Sequence, residues 1–185
     1  MIHAFIEESI DYTGEQLRSL WALERFGLQG DSIVTFVGKA DVAVAALVDR
    51  RDAQDGRGIY SEQMLHFIVE HFDTDLEKAV WRQRLLICII KEELEQRVRA
   101  LRLIRRGDDL FFGDRKLTVS VATVSPLSSL IHTGVNVLAE NAPVPACGLR
   151  EWDLDAGQIG RLVAERYAAE VESIRKARCK VRPVE

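Results

Sequence analysis

The stretch from about Asp75 to Arg99 constrains this fold more than any other. Leu76, Ala79, Val80, Leu85, Leu86, Ile89, Ile90 and Leu94 recur there at helical spacing, after the capping residues Asp73 and Thr74. An apolar stripe this broad must be buried, so the pattern predicts a long amphipathic helix packed on a sheet. A second helix is expected over Asp155–Ala177, burying Ile159, Leu162, Val163, Tyr167 and Val171. A shorter one is expected after Asp11–Gln16, carrying Leu17, Leu20, Trp21, Leu23 and Phe26 and ending at Gly27.

Strands supply the covering layer. Ile2–Ile6 reads as an opening strand, Ser32–Val37 as a buried strand that pairs with it, and Met64–Phe72 as a strand with one face in the core. Residues 39–63 give a strand or short helix followed by a loop. Ala100–Ile104, Leu110–Phe112 with Lys116–Thr123, and Leu130–Leu138 predict an antiparallel meander, punctuated by Arg106-Gly107-Asp108, Gly113-Asp114 and Ser125-Pro126. The fold class expected is α/β of the α+β type, a mixed and largely antiparallel sheet flanked by helices. With 185 residues and no linker or repeat, a single domain over 1–185 is expected.

Charge and cysteine usage narrow the function classes. A net charge of -4 argues against broad phosphate neutralisation, so a nucleic-acid partner is not expected. The longest apolar run, Leu85–Ile90, is too short to span a bilayer, so no membrane role is expected. Cysteines at 88, 147 and 179 form neither a disulfide framework nor a zinc ribbon. With no secretory leader at Met1–Glu8, a cytoplasmic location is expected. His66 and His71, five apart on one strand, point to opposite faces, so no metal site is expected from them.

The residues with most chemical content run from Arg106 to Leu149. Asp108-Asp109 precedes a short strand, Gly113-Asp114-Arg115-Lys116 forms a turn, and His132-Thr133-Gly134-Val135-Asn136-Val137 follows. This order resembles the central segment of biotin and lipoate protein ligases, in which Asn-Asp precedes a Gly-Lys-Lys or Gly-Arg-Lys turn and a Gly-x-Asn-Val strand follows. It departs at Asp108, where Asn is usual, and at Val119, where Gly is usual. Lys116 followed by His132, Gly134, Asn136 and then Pro145-Ala146-Cys147-Gly148-Leu149 also resembles the octanoyltransferase branch, with Thr133 and Ala146 as insertions. Upstream, Asp55-Gly56-Arg57-Gly58-Ile59-Tyr60 is similar to the loop with which these enzymes hold phosphate or acyl carrier, which would use Arg57 and Gly58.

The resemblance implies a biotin/lipoate ligase-like catalytic domain, with Lys116 and Cys147 as the catalytic pair. Arg57, Gly58, Asp109, His132, Gly134, Asn136 and Gly148 would bind substrate, and the partner would be a small carboxylic acid or an acyl-carrier domain. An ammonium beside a thiol raises its thiolate fraction, and the deprotonated amine could then accept a proton from an incoming amine. Acyl transfer through a Cys147 thioester is one reading. A second is an adenylate-forming ligase using ATP and Mg²⁺ in which Cys147 is incidental, and a third is a binding module without chemistry. Without the resemblance, Lys116 reads as a solvated hairpin residue and Cys147 as a small apolar residue in a rigid turn.

The whole chain also resembles an uncharacterised archaeal and bacterial family, domain of unknown function 366. Leu20-Trp21-Ala22-Leu23-Glu24, Met64–Phe72 and Arg82-Gln83-Arg84-Leu85-Leu86 carry that likeness. It implies fold and extent, and leaves mechanism to the motifs.

Overall fold

The apolar stripe near residue 85 forms helix α3, Leu76–Arg97, and the second helical pattern forms α4, Ala156–Ala177. Each starts on an aspartate that accepts a main-chain N–H, Asp75 from Lys78 at 3.0 Å and Asp155 from Gln158 at 2.6 Å. The computed structural model describes residues 1–56, 58–142 and 144–184.

Both helices pack on one face of a five-stranded sheet. Its strands are β1 (Ile2–Ile6), β2 (Ser32–Val42), β3 (Ile59–His71), β7 (Thr118–Val124) and β8 (Ser129–Leu138). The order is β1-β2-β3-β8-β7, parallel between β1 and β2 and antiparallel elsewhere. Between β3 and β7 the chain forms a separate three-stranded sheet, β4 (Ile104–Arg106), β5 (Asp109–Phe112) and β6 (Arg115–Lys116). Two short helices, α1 (Trp21–Phe26) and α2 (Arg50–Gln54), complete the elements used below. The mixed, largely antiparallel sheet flanked by helices is the architecture expected from the sequence.

Period-two alternation divides the sheet cleanly. Ile33, Leu65, Phe67, Val69, Ile131 and Val135 face α3 and α4, in one buried cluster with Leu86, Ile90, Leu94, Ile159, Val163 and Tyr167. Each such side chain contributes about 1.5–3 kcal/mol on burial, which places most of the stabilisation on this face. The opposite face carries Val34, Phe36 and Ile68, covered by Ile10, Tyr12, Trp21 and Ala22. From Met64 to His71, β3 is therefore buried on both sides, beyond the single buried face expected.

Three local differences from expectation have clear causes. The first helix starts at Trp21 because Leu20 adopts φ 64 and donates its N–H to both oxygens of the buried Glu70 carboxylate, at 3.0 and 3.1 Å. Strand β3 begins at Ile59, where it pairs with the far end of β2 beyond a bulge at Gly38/Ala40. The expected meander keeps its antiparallel pairings of neighbours but is divided between two sheets, β4-β5-β6 in the small one and β8-β7 in the main one. Gly107 at φ 66 and Gly113 at φ 61 supply the left-handed residues of its two tight turns.

At the end of β3, His71 joins three elements. Its Nδ1 lies 3.1 Å from Asp31 and its Nε2 3.0 Å from the Tyr167 hydroxyl of α4. The carboxylate fixes the proton on Nδ1, so the hydroxyl donates to Nε2. We expect Tyr167→Phe to leave that nitrogen without a donor and to lower stability by about 1–3 kcal/mol in urea unfolding.

Candidate functional site

The sheet face turned away from α3 and α4 floors a two-lobed cavity. Residues Val42–Asp52 close one side of the smaller lobe, of about 320 Å³, and a larger lobe of about 700 Å³ opens beside it. Asp52, Ile59, Lys116 and Val119 line both. Lys116 thus sits on the wall that the lobes share.

Strand register explains how Lys116 is held. Across the β5–β6 turn Phe111 faces Lys116, and Asp109, two residues before Phe111, shares that side of the ribbon. Its carboxylate lies 2.8 Å from the Lys116 ammonium, with both side chains mostly buried. Burial, opposed by Lys116 and reinforced by Asp108 and Asp52, holds the Asp109 carboxyl above the usual carboxylate range. The other oxygen, Oδ1, is buried without a hydrogen-bond partner among the described residues. Asp108 is occupied, paired with Arg84 at 2.9 Å and accepting from Gln83 at 3.0 Å.

Cys147 comes close to Lys116 along the backbone and turns away from it. The Lys116 N–H donates to the Pro145 carbonyl at 2.9 Å and the Cys147 N–H to the Lys116 carbonyl at 3.0 Å, which makes Lys116 and Ala146 a parallel bridge. Neighbouring residues on an extended strand point to opposite sides. Ala146 therefore lines the larger lobe with Lys116, while Cys147 enters the helix-covered core and is fully buried. Its thiol donates to the Arg115 carbonyl at 3.6 Å, and burial pushes its pKa up to about 11. The expected partnership of an ammonium with a thiolate finds no support in this arrangement: the thiol is held protonated and away from both lobes.

The remaining sequence-predicted residues divide between lining and support. Asn136 lines the larger lobe and donates to the Lys116 carbonyl at 3.3 Å, fixing the strand that carries the ammonium. Gly58 also lines that lobe; Arg57 lies outside the described residues. A Cβ at Gly134 would come within 2.1 Å of the Met64 sulfur, so this glycine makes room for a side chain that lines the lobe. Gly148 touches neither lobe and instead lies against the Val137 carbonyl, 2.5 Å from where its Cβ would be.

His132 lines the smaller lobe and belongs to a buried aromatic stack. Its Nε2 is 3.1 Å from His66 Nδ1, and the Tyr12 ring lies over it with centroids 3.7 Å apart. Burial lowers the pKa of both imidazoles, His66 to about 3 and His132 well below its usual value, so both are neutral at physiological pH. Tyr12, Asp52 and the role of His66 were not found by sequence reasoning. Tyr12 stands in a segment that reads as helix caps, and only the alternation of β3 could have placed His66 on the face that carries His132.

Comparison with known proteins agrees with this architecture. The sequence model of the family described as Domain of unknown function (DUF366) matches residues 1–182. An uncharacterized protein of Methanocaldococcus jannaschii is 37% identical over 187 residues, covering 97% of this chain and 84% of that one. A protein of unknown function from Pyrococcus horikoshi is similar in structure, with a TM-score of 0.92 and 39% identity over 99% of this chain and 98% of that one. Biotin protein ligase from Aquifex aeolicus, in complex with biotin and ATP, matches with a TM-score of 0.63 and 16% identity over 94% of this chain and 72% of that one. A P. falciparum structure in complex with lipoate matches at 0.57 and 10%, over 93% and 62%. The last two likenesses concern the fold alone.

Two measurements follow from this geometry. Thiol-reactive probes should label the exposed Cys179 well before Cys147, read by peptide mass spectrometry on the folded protein. Because the Asp109 carboxyl is raised, its stabilising contribution is present below about pH 4 and is lost as pH rises through the folded value. Urea unfolding should therefore show Asp109→Asn gaining stability relative to the parent as pH is raised from about 4 toward neutrality.

Proposed function

Since the chain belongs to the family described as Domain of unknown function (DUF366), whose description assigns no reaction, we propose from the site itself that it binds a small carboxylic acid at Lys116 and activates it in the manner of an ATP-dependent ligase. The single observation that carries this reading is the Lys116 ammonium on the wall common to two lobes, held by Asp109 at 2.8 Å. One lobe would take the acid and the other the nucleotide, bringing two anions together at one cation. At about 4 Å and an effective dielectric near 20, each such attraction is worth about 4 kcal/mol before desolvation is charged against it.

The lining fits ATP only together with a divalent cation. Asp52 and Asp114 line the larger lobe with Lys116, and Asp49, Asp108 and Asp109 stand beside it in the smaller one, an acidic lining that would repel a bare polyphosphate. Among the described residues no group of three His, Cys, Asp or Glu side chains has metal-holding geometry. Mg²⁺ would therefore arrive on the phosphates, and Asp52, which lines both lobes, would hold it or one of its waters. ATP supplies the leaving group that makes a carboxylate oxygen displaceable. Lys116 holds and neutralises the reacting oxygens, Asp109 keeps its ammonium in place, and Asn136 fixes the strand beneath it. The acceptor would be an amine, such as a lysine of a carrier domain.

Support for the ligase reading over the thioester reading comes from Cys147, whose thiol lies outside both lobes. Pyrophosphate exchange into ATP, scanned across small carboxylic acids, tests it. We expect acid-dependent exchange that falls at least about a hundredfold in Lys116→Ala and stays within about threefold in Cys147→Ala. Exchange that ignores the lysine, or that disappears with the cysteine, overturns the reading.

A further inference from the structure

The buried pair His66 and His132 determines where its protons lie. His66 Nε2 is 3.4 Å from the Gly38 carbonyl, and a carbonyl oxygen only accepts. His66 therefore carries its proton on Nε2, which leaves Nδ1 bare as an acceptor. The partner at 3.1 Å, His132 Nε2, must donate to it. In a neutral imidazole only one nitrogen is protonated, so His132 Nδ1 has a free lone pair, and it has no hydrogen-bond donor among the described residues. His132 is 1% exposed, is clamped by Tyr12 and lines the smaller lobe.

We propose that His132 is a recognition residue that accepts a hydrogen bond from the ligand of the smaller lobe, and that this ligand is a carboxylic acid with an N–H or O–H donor at the end away from its carboxylate. The inference rests on the function proposed above. Lys116 and His132 both line the smaller lobe. An acid anchored by its carboxylate at Lys116 and lying in this lobe turns its far end toward His132. A plain alkyl end would leave the nitrogen buried and unmatched, whereas a hydroxyl, amide or ring N–H satisfies it. His66 acts through His132 as a positioning residue, since its own acceptor atom dictates which nitrogen of His132 is bare.

The test compares octanoate with its ω-hydroxy counterpart by calorimetric titration of the full chain. The parent should bind the hydroxy acid about tenfold more tightly, His132→Leu should bind the two equally, and His132→Gln, which keeps an acceptor, should recover part of the preference. Nitrogen NMR of histidine-labelled parent protein gives a readout that needs no variant. Both imidazoles should be protonated on Nε2, and the His132 Nδ1 resonance should move on adding the hydroxy acid and stay still with octanoate. Equal binding of the two acids by the parent, or a proton on His132 Nδ1, overturns this inference and leaves the proposed function standing. Failure of the parent to bind either acid overturns both.

Discussion

The antiparallel ladder between β3 and β8 carries the rest of the molecule. It runs from Gln63 opposite Leu138 to His71 opposite Ser129, in the middle of the sheet, so nearly every residue along it must be covered on one face or the other. One set of side chains is covered by α3 and α4 and forms the main core. The other set, Met64, His66, Ile68, His132, Gly134 and Asn136, belongs to the face of the cavity. A slip of one residue would exchange the sets, placing two imidazoles and an amide under the helices. The bulge between Gln63 and Met64 and the apolar content of the helix-facing set fix the register in which this does not happen.

The same alternation settles the relation of the two residues that motif reasoning joined. A main-chain hydrogen bond across a parallel bridge joins Lys116 to Cys147, and sequence resemblance alone gives no way to learn which side of its strand each side chain takes. The insertion of Ala146 between Pro145 and Cys147 decides it. Ala146 occupies the outward position opposite Lys116, and the thiol takes the inward one, where it joins the main buried cluster. What remains at the surface of the cavity is a lysine–aspartate pair, suited to gathering anions.

Much of the fold was legible because its signals are local. The stripes of α3 and α4, the aspartates that cap them and the glycine turns of the small sheet each follow from a few neighbouring residues. Less was legible where a distant group decides the local structure: the buried Glu70 carboxylate captures the N–H of Leu20 from 50 residues away and shortens α1. The site shows the same division. Lys116, Asp109 and Asn136 stand on or beside a recognisable turn and strand. Tyr12 reaches His132 only because the segment after β1 runs on along β2, bridging Tyr12 to Ala40.

The side-chain amide of Gln83 on α3 donates to both Asp108 and Ser120 at 3.0 Å, from a position that is almost wholly enclosed. Swinging out the ribbon that bears the lysine would therefore strand polar atoms in the interior. Across the void, the turn Val44–Ala46 and α2 bury none of their residues. The chamber has one stiff wall and one compliant wall, and an incoming molecule meets least resistance from the compliant side.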